Sequence, residues 1–163
     1  MNDNNVRHKI YYLSCLGLLI LDQLSKQLVA SSFSLGESLS VTSFFSWTYL
    51  QNSGAAFSLL ADGGDLHRYL LLGISLLASL ALIVWMHKTL PSLRQRLLGQ
   101  SILLAGAMGN LIDRALYGAV IDFIDLHYKG FYWPVFNLAD SFIFIGIAFL
   151  LFEGRQSNVS GKS

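Results

Sequence analysis

The sequence predicts an all-α membrane protein with four transmembrane helices and a small β-containing segment outside the membrane. The chain has 163 residues, of which 53% are hydrophobic and 13% charged, whereas about 25% charged residues is usual for a soluble domain. Four long apolar segments and a one-sided distribution of Lys and Arg point the same way. We therefore expect a single integral membrane domain covering residues 1–163.

The four apolar segments are the candidate transmembrane helices. A helical span needs about 17–25 residues, which the first three segments supply directly and the fourth only with its flanks. The first segment could be a cleaved signal peptide, but it is long enough to span a bilayer and no clean small-x-small cleavage site follows. We interpret it as a retained helix. The predicted spans are residues 10–30, 69–86, 97–116 and 136–152.

Basic residues predict how these helices are oriented. With four spans, three groups of Lys and Arg fall on one side, which the positive-inside rule makes cytoplasmic. Residues 31–68 and 117–135 then lie outside, and they carry only Arg68 and Lys129 together with most of the interfacial aromatic residues. Both termini should be cytoplasmic. The basic residues on that side are Arg7, Lys9, Lys88, Arg94, Arg96, Arg155 and Lys162.

The two external segments differ in their patterns. Residues 33–60 are rich in β-branched and aromatic residues with Gly, Ser and Asn between them, which predicts a small strand-bearing piece. Within it, Asn52 and Gly54 lie in a typical turn sequence. Residues 55–66 fit a strand, a loop or a short interfacial helix equally well. The second segment, Gly118 to Ser141, is interpreted as an aromatic, loop-like stretch.

Two acids, Asp122 and Asp140, flank this second segment, each at the edge of an apolar run. A carboxylate at membrane depth is disfavoured by about 2.5–3.5 kcal/mol, so such acids indicate function. Two of them at one point can share a proton and polarise a water, as in aspartic peptidases. The alternative for Asp140 is a helix cap, for which Asn137 competes. Asp125 is interpreted as a solvated acid.

Further polar residues lie in apolar helices. Asp22 and Lys26 are four apart on the first helix and should form an ion pair, with either a structural role or a role in binding. On the third helix, Asn110 and Arg114 share a face while Asp113 points aside. Arg114 offers five donors for a peptide carbonyl or a lipid headgroup, or it extends toward the membrane surface.

Small residues on the third helix predict a close helix contact. Ser101, Ala105 and Gly109 lie along one face, so a neighbouring helix can approach there. Cys15 lies in an apolar run and is interpreted as a packing residue.

Other classes of function find little support in the sequence. The net charge of +1 gives no basic stripe for nucleic acid. The two histidines in the loops, His67 and His127, are too few and too scattered for a metal site, so no metal or cofactor is expected.

Five sequence blocks, in chain order, resemble the prolipoprotein, or type II, signal peptidases of bacteria. Each block alone is a weak signal, but their order from the first helix to the fourth is highly specific, and no core motif position departs from the family pattern. The blocks are DQLSK (22–26), NSGAAFS (52–58), GNLIDR (109–114), GAVIDFID (118–125) and FNLADS (136–141).

The resemblance implies a multi-pass aspartic endopeptidase of the bacterial inner membrane, with its active site at the periplasmic face. Asp122 and Asp140 match the catalytic dyad. The implied substrate is a prolipoprotein cut just before its diacylglyceryl-modified cysteine. Further implied partners are membrane lipid and globomycin-like cyclic peptide inhibitors, and we expect a monomer. Substrate-site positions match Asn52, Gly54, Asn110, Arg114, Asn137 and Ala139, supported by Asp22 and Lys26.

Two other classes of protein remain as alternatives. A small transporter or proton-conducting protein would use Asp22, Asp113, Asp122 and Asp140 as a relay, with the acids distributed through the membrane depth. A structural subunit would use the small-residue face of the third helix as an interface, and would leave the acids unexplained.

Overall fold

A computed structural model describes residues 3–54 and 64–160 of the chain. Each predicted apolar segment lies in, or largely in, one of its helices. The sequence predicts a strand, a loop or a short interfacial helix for residues 55–66. Most of these residues fall outside the described residues, and from Gly64 onward the chain is helical. The described elements are α1 (Asp3–Ser32), β1 (Ser38–Thr42), β2 (Phe45–Asn52), α2 (Gly64–Lys88), α3 (Arg94–Tyr117), β3 (Val120–Tyr128), β4 (Phe131–Tyr132) and α4 (Leu138–Ser160).

Two of the described helices are long and apolar enough to cross a membrane. These stretches, His8–Ser32 in α1 and Leu66–Lys88 in α2, have mean hydropathies of 1.3 and 2.3. Most of their side chains face outward, as Leu13 in α1 and Leu77 in α2 do with exposed fractions of 65% and 68%. In water such surfaces would be unfavourable, whereas lipid tails are as apolar as leucine.

The helices pack around α3, where small residues allow close contact. Ala105 is fully buried in the core. A Cβ atom at Gly106 would run into the main chain at Ala139, and one at Gly146 of α4 would lie 2.7 Å from the Leu103 Cβ. On the predicted face, Gly109 is where other helices come close, since a Cβ there would run into Asp22 of α1 and lie 3.2 Å from the Ala139 Cβ of α4. The close approach of α4 at Gly106 lies beside that face and was not predicted. Cys15 is buried in the same core, as its packing interpretation requires.

The strands form one antiparallel sheet in the order β1-β2-β3-β4. The loop-like interpretation of Gly118 to Ser141 is wrong, since nine of its residues form β3. Ile121 and Phe123 alternate into a core with Val29 and Tyr49. Asp122 alternates with them, but the apolar residues Val120 and Ile124 share its face, so the sequence lacks the clean period of two by which a half-buried strand is recognised.

A bulge in β2 decides which side chains face each other across the sheet. The register between β2 and β3 shifts between Trp47 and Leu50. Because side chains alternate along a strand, one extra residue moves all later side chains to the opposite face. Beyond the bulge Leu50 pairs with Asp122, and Asn52, two residues on, shares that face. The bulge therefore brings the Asn52 and Asp122 side chains together.

The start of α4 is fixed by a bridge to β3. Phe136 accepts a 2.7 Å hydrogen bond from the Ile124 N–H and donates one of 3.1 Å back to the Ile124 carbonyl. This strand-like pairing keeps Phe136 out of the helix, so α4 begins at Leu138 rather than at the predicted 136. It also places Asn137 directly beside Asp122.

Candidate active site

Asp122 and Asp140 meet at a single asparagine. The Asn137 side-chain amide donates to Asp122 Oδ1 at 2.6 Å, and the Asn137 backbone N–H donates to Asp140 Oδ2 at 3.2 Å. Asn137 is fully buried and Asp122 nearly so, while Asp140 is half-buried. One buried residue thus joins two acids that belong to different elements, β3 and α4.

Asp140 takes part in the cap of α4 and in the site at the same time. The Asp140 N–H donates to Asn137 Oδ1 at 2.9 Å, so Asn137 is the N-cap residue. The Asp140 carboxylate reaches back to the Asn137 N–H, which is the reciprocal arrangement of a capping box. Its other oxygen, Oδ1, accepts from the Asn110 side-chain amide at 2.8 Å. The helix cap is therefore Asn137 rather than Asp140, and Asp140 supports that cap with only one carboxylate oxygen.

Asp122 lies in surroundings that favour its protonated form. Burial raises the pKa of Asp122 to about 6, from an ordinary value of 3.8. A 3.0 Å hydrogen bond from the Asn52 amide to Oδ2 opposes the rise. The negative charge of Asp140 adds to it, because two like charges at short range disfavour ionisation. Asp122 is thus able to hold a proton at a pH where an exposed carboxyl would have lost it.

Asn110 connects this pair to a charged cluster beneath it. Its side-chain oxygen accepts from the Lys26 ammonium at 3.1 Å and from the Asn137 amide at 3.2 Å. Its amide donates to Asp140. Every polar atom of the Asn110 side chain is therefore used in holding the site together.

Lys26 is surrounded by three acceptors, one for each ammonium proton. Its Nζ lies 2.9 Å from Asp22 Oδ2, 2.9 Å from Asp113 Oδ2 and 3.1 Å from Asn110 Oδ1. Lys26, Asp22 and Asp113 are all fully buried. The predicted Asp22–Lys26 pair forms. The prediction that Asp113 points aside is wrong, because α1 lies against that flank of α3 and supplies the Lys26 ammonium.

Asp22 also holds the first turn of α4. Its Oδ1 accepts the Ala139 backbone N–H at 2.9 Å, satisfying a helix-end donor with a negative charge where the helix dipole favours one. Ala139 itself is fully buried. Gly109 must lack a side chain here, since a Cβ would run into the Asp22 carboxylate and the Ala139 methyl. Asp22 thereby sets the position of Asp140, one residue further on.

Gln23 and Asp113 are the residues that sequence reasoning missed. The Gln23 amide donates to Asp113 Oδ1 at 3.0 Å, and at 3.2 Å to both Asp22 Oδ2 and the Gly109 carbonyl. Asp113 Oδ2 accepts the Ile121 N–H at 3.1 Å and so fixes β3 next to Asp122. A signal was available, because each is a polar residue in an apolar helix within three positions of a recognised one.

Arg114 lies at the edge of the site. Its Nη1 donates to the Asn110 carbonyl at 3.2 Å, one turn back in α3. The carboxylates of Asp140, Asp113 and Asp122 all lie within Coulombic range of the guanidinium. The side chain is half-buried, so it both faces the acids and remains accessible from outside.

Gly54 and Asn52 form the predicted turn and also reach the site. The Gly54 N–H donates to Asn52 Oδ1 at 2.9 Å, while the Asn52 amide bonds Asp122. Gly54 has a φ of +82°, which favours glycine. A Cβ there would also run into the Leu71 side chain of α2. The turn therefore directs the Asn52 side chain toward Asp122 and also packs against α2.

The profile of the family described as Signal peptidase (SPase) II matches residues 14–154 of the chain. The chain belongs to the signal peptidase II family. Two relatives illustrate how close it is. The lipoprotein signal peptidase of Cellvibrio japonicus (strain Ueda107) is 42% identical over 141 residues, covering 86% of this chain and 83% of that protein. The lipoprotein signal peptidase of Yersinia enterocolitica is 45% identical over 139 residues, covering 84% and 81%.

Solved structures agree with this membership. Two bacterial membrane enzymes superpose on the chain with TM-scores of 0.78 and 0.80, at 33% and 32% identity. They cover 88% and 95% of this chain and 91% and 92% of their own. The identification based on five sequence blocks is thus confirmed, and this signal peptidase II is a membrane protease with a mostly helical fold and a small sheet.

Proposed function

We propose that this signal peptidase II is an aspartic endopeptidase that removes the signal peptide from diacylglyceryl-modified prolipoproteins, cutting before the lipidated cysteine. The observation that carries the proposal is the bridge from Asn137 to both Asp122 and Asp140. The relatives named lipoprotein signal peptidase support the class of substrate.

The chemistry follows from a pair of acids that shares one proton. Asp140, ionised, accepts a proton from a water as the water oxygen bonds to the scissile carbonyl carbon. Asp122, whose pKa burial raises to about 6, carries the proton that the pair shares and donates it to the carbonyl oxygen, giving a neutral diol. As the C–N bond breaks, Asp140 returns its proton to the leaving nitrogen and the diol returns one to Asp122. The pair ends as it began and titrates as a unit.

The polar residues around the acids have separate tasks in this scheme. Asn110 and Asn137 hold the carboxylates in place, and Asn52 holds the free side of Asp122. Arg114, half-buried beside the acids, binds a main-chain carbonyl of the substrate. Substrate lies against the backbone of the turn at Gly54. Ala139, Asp22 and Lys26 are fully buried, which suits positioning rather than direct binding.

All four helices are proposed to cross the bacterial inner membrane, with both termini in the cytoplasm. β1 and β2 follow α1, and β3 and β4 join α3 to α4. Because these strands form one sheet, they share one end of the bundle. The positive-inside rule makes that end periplasmic. The acids then lie at the periplasmic face, where a lipidated cysteine would be presented.

The arrangement of the acids favours this function over a proton relay. Asp22 and Asp113 are both paired to one Lys26 ammonium, and Asp122 and Asp140 share Asn137. They thus form one connected cluster at the sheet end of the bundle, whereas a relay requires acids at successive depths.

The purified protein in detergent, mixed with a lipidated precursor, tests the proposed reaction. Mass spectrometry should show two products, the intact signal peptide and a lipoprotein that begins with the lipidated cysteine. A globomycin-like cyclic peptide should stop the reaction, while serine and thiol reagents and metal chelators should not. Cleavage at another bond, or loss of activity on chelation, would contradict the proposal.

A further inference from the structure

An apolar groove begins at the proposed dyad and follows one face of α4. Its first part is a cavity of about 480 Å³ that has Asp140, Phe144 and Ile145 on the helix side and Leu126 and Trp133 on the sheet side. Asp140, a proposed catalytic acid, therefore lines one end of this cavity, and the remaining lining is almost entirely apolar. A substrate that reaches Asp140 from the membrane has a continuous apolar surface beside it.

The groove continues toward the other end of α4. A second cavity, of about 290 Å³, shares Phe144 and Ile145 with the first and extends past Ala148 to Phe152 and Glu153. Phe144 and Phe152 are 76% and 63% exposed, so their rings stand out on either side of the small Ala148. Because large and small side chains alternate along this surface, another helix can pack against it.

The far end of the groove is polar. Arg96 of α3 makes a bidentate ion pair with Glu153, with N···O distances of 3.0 and 3.1 Å. Asp140 and Glu153 are 13 positions apart in one helix, which is about 20 Å at 1.5 Å per residue. The apolar surface is therefore bounded by an acid of the dyad at one end and by an ion pair at the other.

We propose that this groove binds the apolar segment of the substrate's signal peptide as a helix lying along α4. The scissile bond would lie at Asp140, and the basic start of the signal peptide would lie beyond Glu153. The proposal deepens the proposed function and rests on it.

Length and direction both support this occupant. The apolar region of a signal peptide has about 7–15 residues, or about 10–22 Å as a helix, which matches the groove. A signal peptide begins with a charged region on the cytoplasmic side, and the groove becomes polar at Glu153, the end proposed to be cytoplasmic. Its cleavage site lies at the opposite end of the apolar region, and so does Asp140.

Shape explains why a helix would prefer this surface to bare lipid. Lipid tails are as apolar as leucine, so helices associate in membranes by close packing rather than by burial alone. Other outward-facing apolar surface exists, for example around Leu77 of α2, whereas the cavity that contains Asp140 lies along α4. Recognition by fit and depth would accept many different apolar sequences.

Cysteine crosslinking in an inert enzyme tests the docking directly. The background carries Cys15→Ala together with Asp140→Asn, or Asp122→Asn as a second version if the first does not fold. Phe144→Cys should crosslink to a precursor thiol placed near the cleavage site, and Phe152→Cys to one near the start of the apolar region. Leu77→Cys in α2 is the matched control. Equal crosslinking at Leu77, or the opposite register along α4, would overturn the proposal.

Kinetics of the active enzyme separate this proposal from the assignment of the dyad. Ala148→Trp fills the groove, so it should raise KM for a full-length precursor by about tenfold. It should not change turnover of a short diacylated peptide that lacks the apolar region, and Leu77→Trp should affect neither substrate. An equal effect on both substrates, or none, would reject the groove. Normal cleavage by Asp122→Asn or Asp140→Asn would instead reject the dyad.

Discussion

At the scale of single residues, Asn137 has two roles, capping α4 and holding Asp122, and the sequence does not show that one residue performs both. Its side-chain oxygen caps α4, and its side-chain amide holds Asp122. Both acids depend on Asn137 for their positions, because the cap fixes where Asp140 lies and the amide fixes where Asp122 lies.

Substitutions of Asn137 can separate these two roles. Asn137→Ala removes both and should lower the free energy of unfolding by about 1–3 kcal/mol, with loss of most turnover. Asn137→Ser keeps a capping oxygen but no amide, so it should recover much of the stability and little of the activity. Thermal unfolding in detergent and single-turnover cleavage measure the two effects. Full activity in the serine variant would show that only the cap matters.

Asp122 makes stability depend on pH in a direction that its burial determines. Its pKa is raised from 3.8 to about 6, so the folded state binds a proton more tightly than the unfolded state. Its contribution to stability is then fully present below about pH 4 and is lost as pH rises to about 6. Asp122→Asn should therefore gain stability relative to wild type between pH 4 and 7, on the order of 2 kcal/mol. A constant difference across that range would contradict the raised pKa.

Sequence reasoning identified the residues that make direct contact in the site more completely than those that support them. Spacing along one helix places Asn110 and Arg114 on a common face, but it does not show which neighbour that helix will meet. Asp113 and Gln23 have their partners on other elements, α1 and α3, so their contacts become visible only when the helices are packed.

At the scale of elements, the contact between α1, α3 and α4 depends on Gly109. Gly109→Ala places a methyl group against the Asp22 carboxylate and Ala139. Overpacking of this kind lowers stability by about 1–3 kcal/mol, and it should also displace Asp140. Thermal unfolding and turnover should both fall.

A matched control for this substitution is Gly73→Ala in α2, where nothing in the described part of the chain outside the adjacent helix backbone lies within 4 Å of the added carbon. Helix propensity favours that change by up to about 1 kcal/mol. If Gly109→Ala is as well tolerated as Gly73→Ala, the close contact is not needed.

The helices were easier to predict than β3 for a physical reason. A membrane helix requires about 20 apolar residues in one run, which any window detects. β3 instead depends on pairing with β2, some seventy residues earlier in the chain. Apolar residues on both faces of β3 also obscure the period of two. The bulge that turns Asn52 toward Asp122 leaves no recognisable mark in the sequence.

At the scale of the whole molecule, the buried cluster of Lys26, Asp22 and Asp113 connects α1, α3, β3 and the start of α4. Lys26→Met would leave Asp22 and Asp113 buried without a cation, which should lower the free energy of unfolding by about 3–5 kcal/mol. Adding Asp113→Asn to that variant removes one unpaired charge and should recover part of the loss. A double-mutant cycle by thermal unfolding measures the coupling. Additive effects would show that the two residues act independently.

The central claim is that Asp122 and Asp140 act on one water, and single-turnover cleavage of a lipidated precursor tests it most directly. The comparison is between Asp122→Asn, Asp140→Asn and Asp125→Asn. Asp125 is the control because it lies on β3 with Asp122 but accepts its hydrogen bond from Thr48. Both dyad variants should stay folded and lose cleavage, while the Asp125 variant stays close to wild type. Near-normal cleavage by either dyad variant would contradict the account.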